Sequence, residues 1–169
     1  MKRTIFLSII FGATAGFITN TVCTHPVLAV EEKSVTDGRG KSPTERLMME
    51  IEKRTYNILT GILLCNFSQV KQEASAVVEE ANKINEKFFP QNPDPDVDTW
   101  YKRTKNLDTN NKEAIVKLKE EFTGYVKKIE TAIQKIQRAA DSKNEESALN
   151  AYTDLIKNSC FECHKHHRG

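Results

Sequence analysis

The chemistry-bearing residues of this chain are concentrated at its end, where the last twelve residues read NSCFECHKHHRG. Cys160 and Cys163 stand three positions apart, and His164 directly follows the second cysteine. A C-x-x-C pair can form a redox dithiol, supply half of a zinc site or anchor a haem. The choice among these depends on the compartment of the protein and on the elements that position the two thiols.

The first residues have the pattern of an export signal. Lys2 and Arg3 precede an uncharged, largely apolar stretch over residues 5–18, and residues 27–29 read VLA, a small-residue cleavage site. The apolar stretch is shorter than the roughly 20 residues of a membrane-spanning helix. We therefore predict a signal peptide over residues 1–29, export to the periplasm or an equivalent extracytoplasmic compartment, and no stable membrane anchor.

The composition of the remaining 140 residues indicates one domain of balanced charge. The signal contains two of the 25 basic residues and none of the 23 acidic ones, so 23 of each remain. No basic face or acidic tail points to nucleic acid as a partner. Three cysteines remain after cleavage, Cys65, Cys160 and Cys163, and an odd number in an exported protein leaves at least one thiol outside internal pairing.

The folded domain is predicted to begin at a helix-capping sequence. Residues 30–41 contain charges and glycines but no apolar period, and we expect a flexible leader there. Ser42 at the N-cap, Pro43 at the first helical position and Glu45 at the third then form a capping box. The domain is therefore predicted over residues 42–169.

Four segments of this domain carry apolar residues at the three- and four-residue spacing of an amphipathic helix. Their predicted starting residues are Ser42, Asn66, Asn110 and Ser142. The second is predicted to run unbroken to Phe88, and a short helix can form around Trp100 in the long connection that follows. No stretch alternates as a strand does, so we predict an all-α, antiparallel, up-down-up-down four-helix bundle. In that order the end of the fourth helix lies beside the start of the first.

A helical chain that ends in C-x-x-C-H favours haem attachment over the other uses of the motif. A thioredoxin-like dithiol starts a helix, usually beside a strand. Zinc needs about four ligands, and only His166 and His167 are near enough to complete a set. A structural disulfide would close only a tiny loop. Two thiols match the two vinyl groups of haem, so we predict Cys160 and Cys163 as thioether donors and His164 as the proximal axial ligand of one haem c.

These features resemble the class II c-type cytochromes, which are the cytochrome c′ family and its low-spin relatives. The resemblance covers residues 42–169 and rests on the four-helix pattern, the C-terminal attachment site and Cys160-x-x-Cys163-His164-x-x-x-Arg168. Members often carry an arginine at the position of Arg168, whose guanidinium suits a haem propionate. The resemblance also implies a homo- or heterodimer with a similar bundle, formed through the first two helices.

The resemblance places the residue opposite His164 in the first turns of the first helix, in agreement with the bundle order. Leu47, Met48 and Met49 lie there. A Met48 thioether would give a six-coordinate, low-spin haem suited to electron transfer, whereas Leu47 turned inward would leave an open apolar pocket for NO or CO. Met48 fits the apolar stripe better than Met49, although core filling is the ordinary role of such a methionine.

Cys65 is the alternative ligand, because a thiolate binds haem iron strongly and this thiol is not used for attachment. It lies about 26 Å beyond Met48 along a straight helix, so it reaches iron only from a broken helix or from another chain. Otherwise it is a buried small residue or half of an intermolecular disulfide. His166 and His167 follow the proximal ligand too closely to reach the opposite side of the haem, and we predict that both are exposed.

Two functions remain open from the residues alone. The first is a soluble one-haem electron shuttle between redox partner proteins, and the second is binding, storage or delivery of a small gas such as NO or CO. A structural bundle without a cofactor would make the C-x-x-C-H motif accidental. No paired acids and no nucleophile with its base can be placed together, so we predict that the protein is not an enzyme.

Overall fold

The computed structural model describes residues 42–91, 108 and 110–167. The predicted signal peptide and leader, the segment around Trp100 and Arg168 lie outside these described residues. Within the described ranges, no helix has the length and apolar character needed to cross a membrane.

The described residues form α-helices joined by turns, with one π-helical segment near the end of the chain. The elements are α1 (Pro43–Leu63), α2 (Phe67–Ala81), α3 (Ile84–Phe88), α4 (Lys112–Asp141), α5 (Glu145–Leu155), the π segment (Ile156–Phe161) and α6 (Glu162–His167). They make four antiparallel stretches: α1, α2 with α3, α4, and α5 continued through the π segment into α6. The predicted up-down-up-down four-helix bundle is thereby confirmed.

Contacts between helix ends fix this order at one end of the bundle. Sγ of Cys65, in the turn after α1, lies 3.6 Å from Oε2 of Glu145 at the start of α5. Nζ of Lys71, near the start of α2, lies 3.1 Å from Oδ1 of Asp141 at the end of α4. The turn between α1 and α2 and the turn between α4 and α5 therefore share this end, which we call the Cys65 end.

The opposite end, which we call the tail end, gathers α3, the first half of α4 and α6. Nδ2 of Asn85 in α3 donates a hydrogen bond of 2.8 Å to Oγ1 of Thr123 in α4. The ring of Phe122 lies 5.2 Å from that of Phe88 and 5.0 Å from that of His167, between ring centroids. Because α1 runs antiparallel to α5, the start of α1 belongs to the tail end as well.

Two predicted helix starts are confirmed by the capping hydrogen bonds. Oγ of Ser42 accepts from the backbone N–H of Glu45 at 3.2 Å, and Oε2 of Glu45 accepts from the backbone N–H of Ser42 at 2.8 Å. Oδ1 of Asn66 likewise accepts from the backbone N–H of Gln69 at 3.2 Å. These bonds satisfy amide groups that a helix start leaves without a partner.

The other two predicted starts were wrong by one and two residues. Asn111 rather than Asn110 caps α4, with its side-chain oxygen 3.1 Å from the amide nitrogen three residues on. Asn144 rather than Ser142 caps α5 in the same way, at 2.8 Å. Ser142 ends α4 instead, because Lys143 adopts a left-handed conformation (φ 52°) that reverses the chain.

The predicted second helix is interrupted, and this is a second correction. α2 ends at Ala81, a turn occupies residues 82–83, and α3 then carries the chain to Phe88. The apolar spacing is kept across the turn, since Ala81, Ile84 and Phe88 are all buried. The pattern therefore predicted the buried positions correctly but could not indicate the break between them.

A continuous apolar core joins the four stretches. The predicted stripe of α1 is buried at Leu47, Ile51, Ile58 and Ile62. The largest fully buried side chains come from every stretch: Ile58, Ile62, Val70, Val77, Ile133, Ile136 and Leu155. Burial of this kind contributes about 25 cal/mol for each Å² of apolar surface, so the core, rather than surface ion pairs, holds the bundle together.

Candidate haem-attachment site

The C-terminal helix carries the motif across a change in helical geometry. After Leu155, α5 passes directly into the π segment, whose wider turns accommodate an additional residue, and then into α6. The apolar spacing alone predicted an ordinary α-helix here. Leu155 and Ser159 are 1% and 2% exposed, so the π segment is held against the bundle. Segments of this kind inside α-helices are frequent at functional sites.

The predicted attachment residues lie together on this segment and the following helix. Cys160 and Cys163 are both half-buried, and neither takes part in a disulfide. Cys160 packs against the apolar core, whereas His164 is exposed. The fold therefore directs both thiols toward the bundle and leaves the imidazole that follows them at the surface of the helix.

Burial governs the acidity of the two thiols. It raises the pKa of Cys163 to about 11, with the neighbouring Cys160 adding to the rise and Lys128 opposing it. Burial also raises the pKa of Cys160. Because the thiolate is the reactive nucleophile and both thiols are protonated near neutral pH, the pair has little of the character of a redox dithiol.

Two tyrosines from different helices flank these thiols. Burial raises the pKa of Tyr125 on α4, and the charge of Cys163 adds to this effect. Burial raises the pKa of Tyr152 on α5 in the same way, with a contribution from Cys160. Each phenol is therefore near enough to one thiol of the motif to feel its charge.

Aromatic rings close the tail end beside the motif. Phe122 is central: the centroids of Phe88 and Phe89 each lie 5.2 Å from its own, and that of His167 lies 5.0 Å away. The ring of His167 also lies 5.8 Å from that of Tyr125. Tilted and edge-on arrangements at these separations are the favourable ones for aromatic pairs.

The prediction that His167 is exposed was wrong. Its side chain is only 13% exposed, and Nε2 lies 3.7 Å from Oε2 of Glu121. Burial lowers the pKa of His167, so the neutral imidazole is favoured. The sequence did contain a signal for this position, because His167 follows Cys163 by four residues and shares its helix face. His166 is 54% exposed, as predicted.

The candidates for the sixth iron ligand lie at the start of α1, at the tail end. Leu47 is buried, at 6% exposure, and belongs to the core. Met48 is half-buried and packs against that core, whereas Met49 is 46% exposed. Of the two methionines, Met48 is therefore the one turned toward the interior.

Cys65, the alternative ligand, lies at the opposite end of the bundle. α1 is unbroken over its 21 residues, which is about 32 Å of helix. Cys65 follows it in a left-handed conformation (φ 53°) beside Glu145. The broken first helix that would bring this sulfur atom to the tail end is absent from the described residues.

The residues of the tail end fit a covalently attached haem by their chemistry. Cys160 and Cys163 supply two unbridged thiols for thioether bonds, and His164 supplies an imidazole nitrogen for iron. Cys160 packs against the apolar core, which suits an apolar macrocycle. In the described ranges, no group of three or more His, Cys, Asp and Glu side chains is arranged to hold a metal ion by itself.

Comparison with known proteins agrees with this site. A family model described as cytochrome c′ matches residues 47–168, which run from the start of α1 through the attachment motif. No curated protein and no solved structure matches the chain significantly. The matched region covers well over half of the chain and contains the bundle and the C-x-x-C-H sequence. The chain therefore belongs to the cytochrome c′ family, a family of haem-binding cytochromes.

Proposed function

We propose that this protein is an exported electron carrier that holds one haem c at the tail end of its bundle. The observation that carries the proposal is the pair of unbridged, half-buried thiols of Cys160 and Cys163, which face the bundle directly before His164. The protein passes electrons between partner proteins and performs no catalysis of its own. Export follows from the N-terminal sequence, and we propose cleavage after Ala29.

The chain positions and shields the cofactor. Cys160 and Cys163 would each add their S–H across a vinyl group of the haem, which forms a thioether without net oxidation or reduction. His164 would hold the iron through an imidazole nitrogen, and the guanidinium of Arg168 would suit a propionate. The bound haem would supply the one-electron couple, and the rings of the tail end would exclude water from the site, which affects the reduction potential.

Met48 is the proposed sixth ligand in this function. Its flexible thioether lies at the edge of the core at the end that also holds the motif. A methionine opposite histidine raises the reduction potential of a haem, as suits a carrier. Met49 remains the alternative methionine, although its greater exposure favours it less. Cys65 lies at the opposite end of the bundle, outside the proposed site.

A second candidate function is reversible binding of NO or CO. The burial of Leu47 favours it, since this residue presents an apolar side chain at the same end of the bundle. An apolar residue opposite His164 would leave the sixth position open to a small uncharged gas. The two functions thus differ in whether Met48 or Leu47 faces the iron.

Absorption spectra of the holoprotein distinguish the two functions. The oxidised and reduced protein is compared with and without NO, in wild type, in Met48→Ala and in Met49→Ala as the matched control. Electron transfer with Met48 as ligand predicts a low-spin spectrum that resists NO in wild type and Met49→Ala and becomes NO-sensitive in Met48→Ala. A five-coordinate spectrum in wild type that shifts readily with NO supports gas binding instead.

Mass spectrometry of the intact protein tests the covalent attachment of haem. Intact-protein mass after expression with a haem-attachment system is expected to equal the chain from residue 30 plus one macrocycle. Cys160→Ser and Cys163→Ser should each retain at most one thioether, and the double variant should lose the haem on denaturation. A colourless wild-type protein of unmodified mass would refute the proposal for both functions.

A further inference from the structure

The outer face of the motif forms a stripe that points away from the bundle. We call it the Phe161 stripe, and it consists of Lys157, Phe161 and Lys165. Steps of four residues put the three side chains on one side of a helical segment. Phe161 is 60% exposed, and both lysines are exposed, so no other described element covers the stripe.

The charge of this stripe is not neutralised by neighbouring acids. Among the described residues, neither Lys157 nor Lys165 takes part in an ion pair or a hydrogen bond of its side chain. Glu162 directly follows Phe161 in the sequence. Its Oε2 lies 3.9 Å from Nε2 of His166, so this carboxylate is on the side of the helix next to the stripe. The stripe is therefore locally basic, although acidic and basic residues balance over the mature chain.

A groove next to the π segment extends the basic surface. It has a volume of about 410 Å³ and lies between α4 and the π segment, with Lys127 and Lys128 on its α4 side. Asp154 also lines the groove, but its carboxylate is bound to Nζ of Lys135 at 2.8 Å. Asp154 is thus compensated locally. Glu162 is the second acid of the groove, so its three lysines outnumber its two acids and leave a net positive charge beside the attachment site.

Phe161 lies next to the attachment cysteines within this surface. It adjoins Cys160 and lies two residues before Cys163, so a protein that covers its ring comes close to the attached cofactor. Single exposed apolar residues are common on protein surfaces. Here, however, a large aromatic side chain lies between lysines, and aromatic anchors with a charged rim are typical of specific interfaces.

We propose that the Phe161 stripe is the docking face for an acidic electron-transfer protein, whose carboxylates contact Lys157 and Lys165 around an apolar spot that receives Phe161. This inference rests on the proposed electron-transfer function, because only a carrier needs a partner at the cofactor edge. Complementary charge steers the encounter, and it weakens as salt screens the surface.

Voltammetry of the holoprotein on a coated gold electrode tests the inference. The probe is a mixed monolayer of carboxylate- and methyl-terminated alkanethiols, which imitates an acidic surface with apolar spots. The test variant Lys157→Glu/Lys165→Glu is compared with Arg138→Glu/Lys143→Glu. The control changes the net charge equally but lies at the Cys65 end, on exposed residues. Thermal unfolding followed by circular dichroism verifies that both variants are folded.

Wild type and control are expected to adsorb and give a haem wave that high salt removes. The stripe variant should lose coverage by about tenfold or more, since each lysine contributes appreciably to binding at an anionic surface. Phe161→Ala should still adsorb but transfer electrons about threefold more slowly, because the apolar contact is lost. This combination of results supports the docking face.

Two results would refute the docking face, and they have different consequences for the proposed electron-transfer function. Equal coverage in the two charge variants, or a Phe161→Ala rate equal to wild type, refutes this face while electron transfer by the protein stands. If wild type gives no wave on this or a hydroxyl-terminated monolayer and is not oxidised by ferricyanide, the electron-transfer function fails and the docking face fails with it.

Discussion

At the scale of single residues, His167 shows how the short last helix is attached to the bundle. No side chain of α6 is fully buried, and the contacts of His167 with Phe122, Tyr125 and Glu121 join this helix to α4. His164 lies one turn earlier on the same helix. The orientation of the proposed iron ligand therefore depends on a side chain that does not itself bind iron.

Replacing His167 by alanine is expected to lower the free energy of unfolding by about 1–2 kcal/mol, because the ring contacts are lost. The reduction potential of the haem should shift as well, since α6 is loosened around His164. His167→Phe should restore most of both properties through ring packing. His166→Ala is the matched control, and an equal effect of that exposed variant would contradict the anchoring role.

The acidity of Cys163 gives a prediction for the haem-free, reduced protein. A thiol with a pKa of about 11 is almost wholly protonated at pH 8, and its thiolate fraction keeps rising as the pH rises toward that value. Alkylation by iodoacetamide should therefore accelerate about tenfold for each pH unit between 8 and 10. In the guanidinium-unfolded chain the rate should level off above the ordinary thiol pKa of about 8.5. Peptide mass spectrometry follows Cys163 separately, and identical profiles for folded and unfolded chains would contradict its burial.

At the scale of elements, the π segment determines how the attachment motif is rotated about the helix axis relative to α5. A π segment accommodates an additional residue while the helix on either side keeps its alignment. Residues that follow it face the same way as they would in a shorter, regular helix. The rotation of Cys160, Cys163 and His164 about the helix axis is therefore set by the whole stretch from α5 to α6.

Two single-residue deletions test this account. Deleting Asn158 inside the π segment should produce a regular α-helix and preserve haem content, since the downstream residues keep their face. Deleting the exposed Asn150 in α5 rotates everything after it by about 100° and should abolish haem attachment. Haem content by pyridine haemochrome and helix content by circular dichroism are the measurements. Equal loss of haem in both deletions would refute the role of the π segment.

At the scale of the whole molecule, the outer surface of α1 carries apolar side chains that the described bundle does not cover. Met49, Tyr56 and Leu63 are 46%, 66% and 60% exposed and recur at seven-residue spacing. Such spacing lines one side of a helix and is typical of helix pairing between chains. We propose this stripe as the surface of the dimer that the family resemblance implies.

Tyr56→Glu is expected to convert a dimer of the holoprotein into monomers and weaken self-association by about tenfold or more, because a charge replaces a central aromatic contact. Val116→Glu is the matched control, since Val116 on α4 is 56% exposed but lies outside this stripe. Sedimentation velocity over a range of concentrations measures the change. A wild-type monomer, or an equal effect of both variants, would refute α1 as the interface.

The sequence by itself determined the helical class, the order of the four stretches, two helix starts and the grouping of Cys160, Cys163 and His164. These features are local, since caps, apolar spacing and a five-residue motif each depend on residues close together in the chain. The same spacing predicted the buried stripe of α1 and the inward position of Met48 relative to Met49.

Only the tertiary structure decided the break at residues 82–83, the π segment and the burial of His167. The break and the buried histidine depend on neighbours far away in sequence: α3 turns to place Phe88 against Phe122, and His167 is buried because α4 lies beside it. Apolar spacing records which side chains enter the core but not how the backbone bends to let them meet. The bends in the backbone are determined by contacts throughout the bundle. These contacts form only when the four stretches pack together.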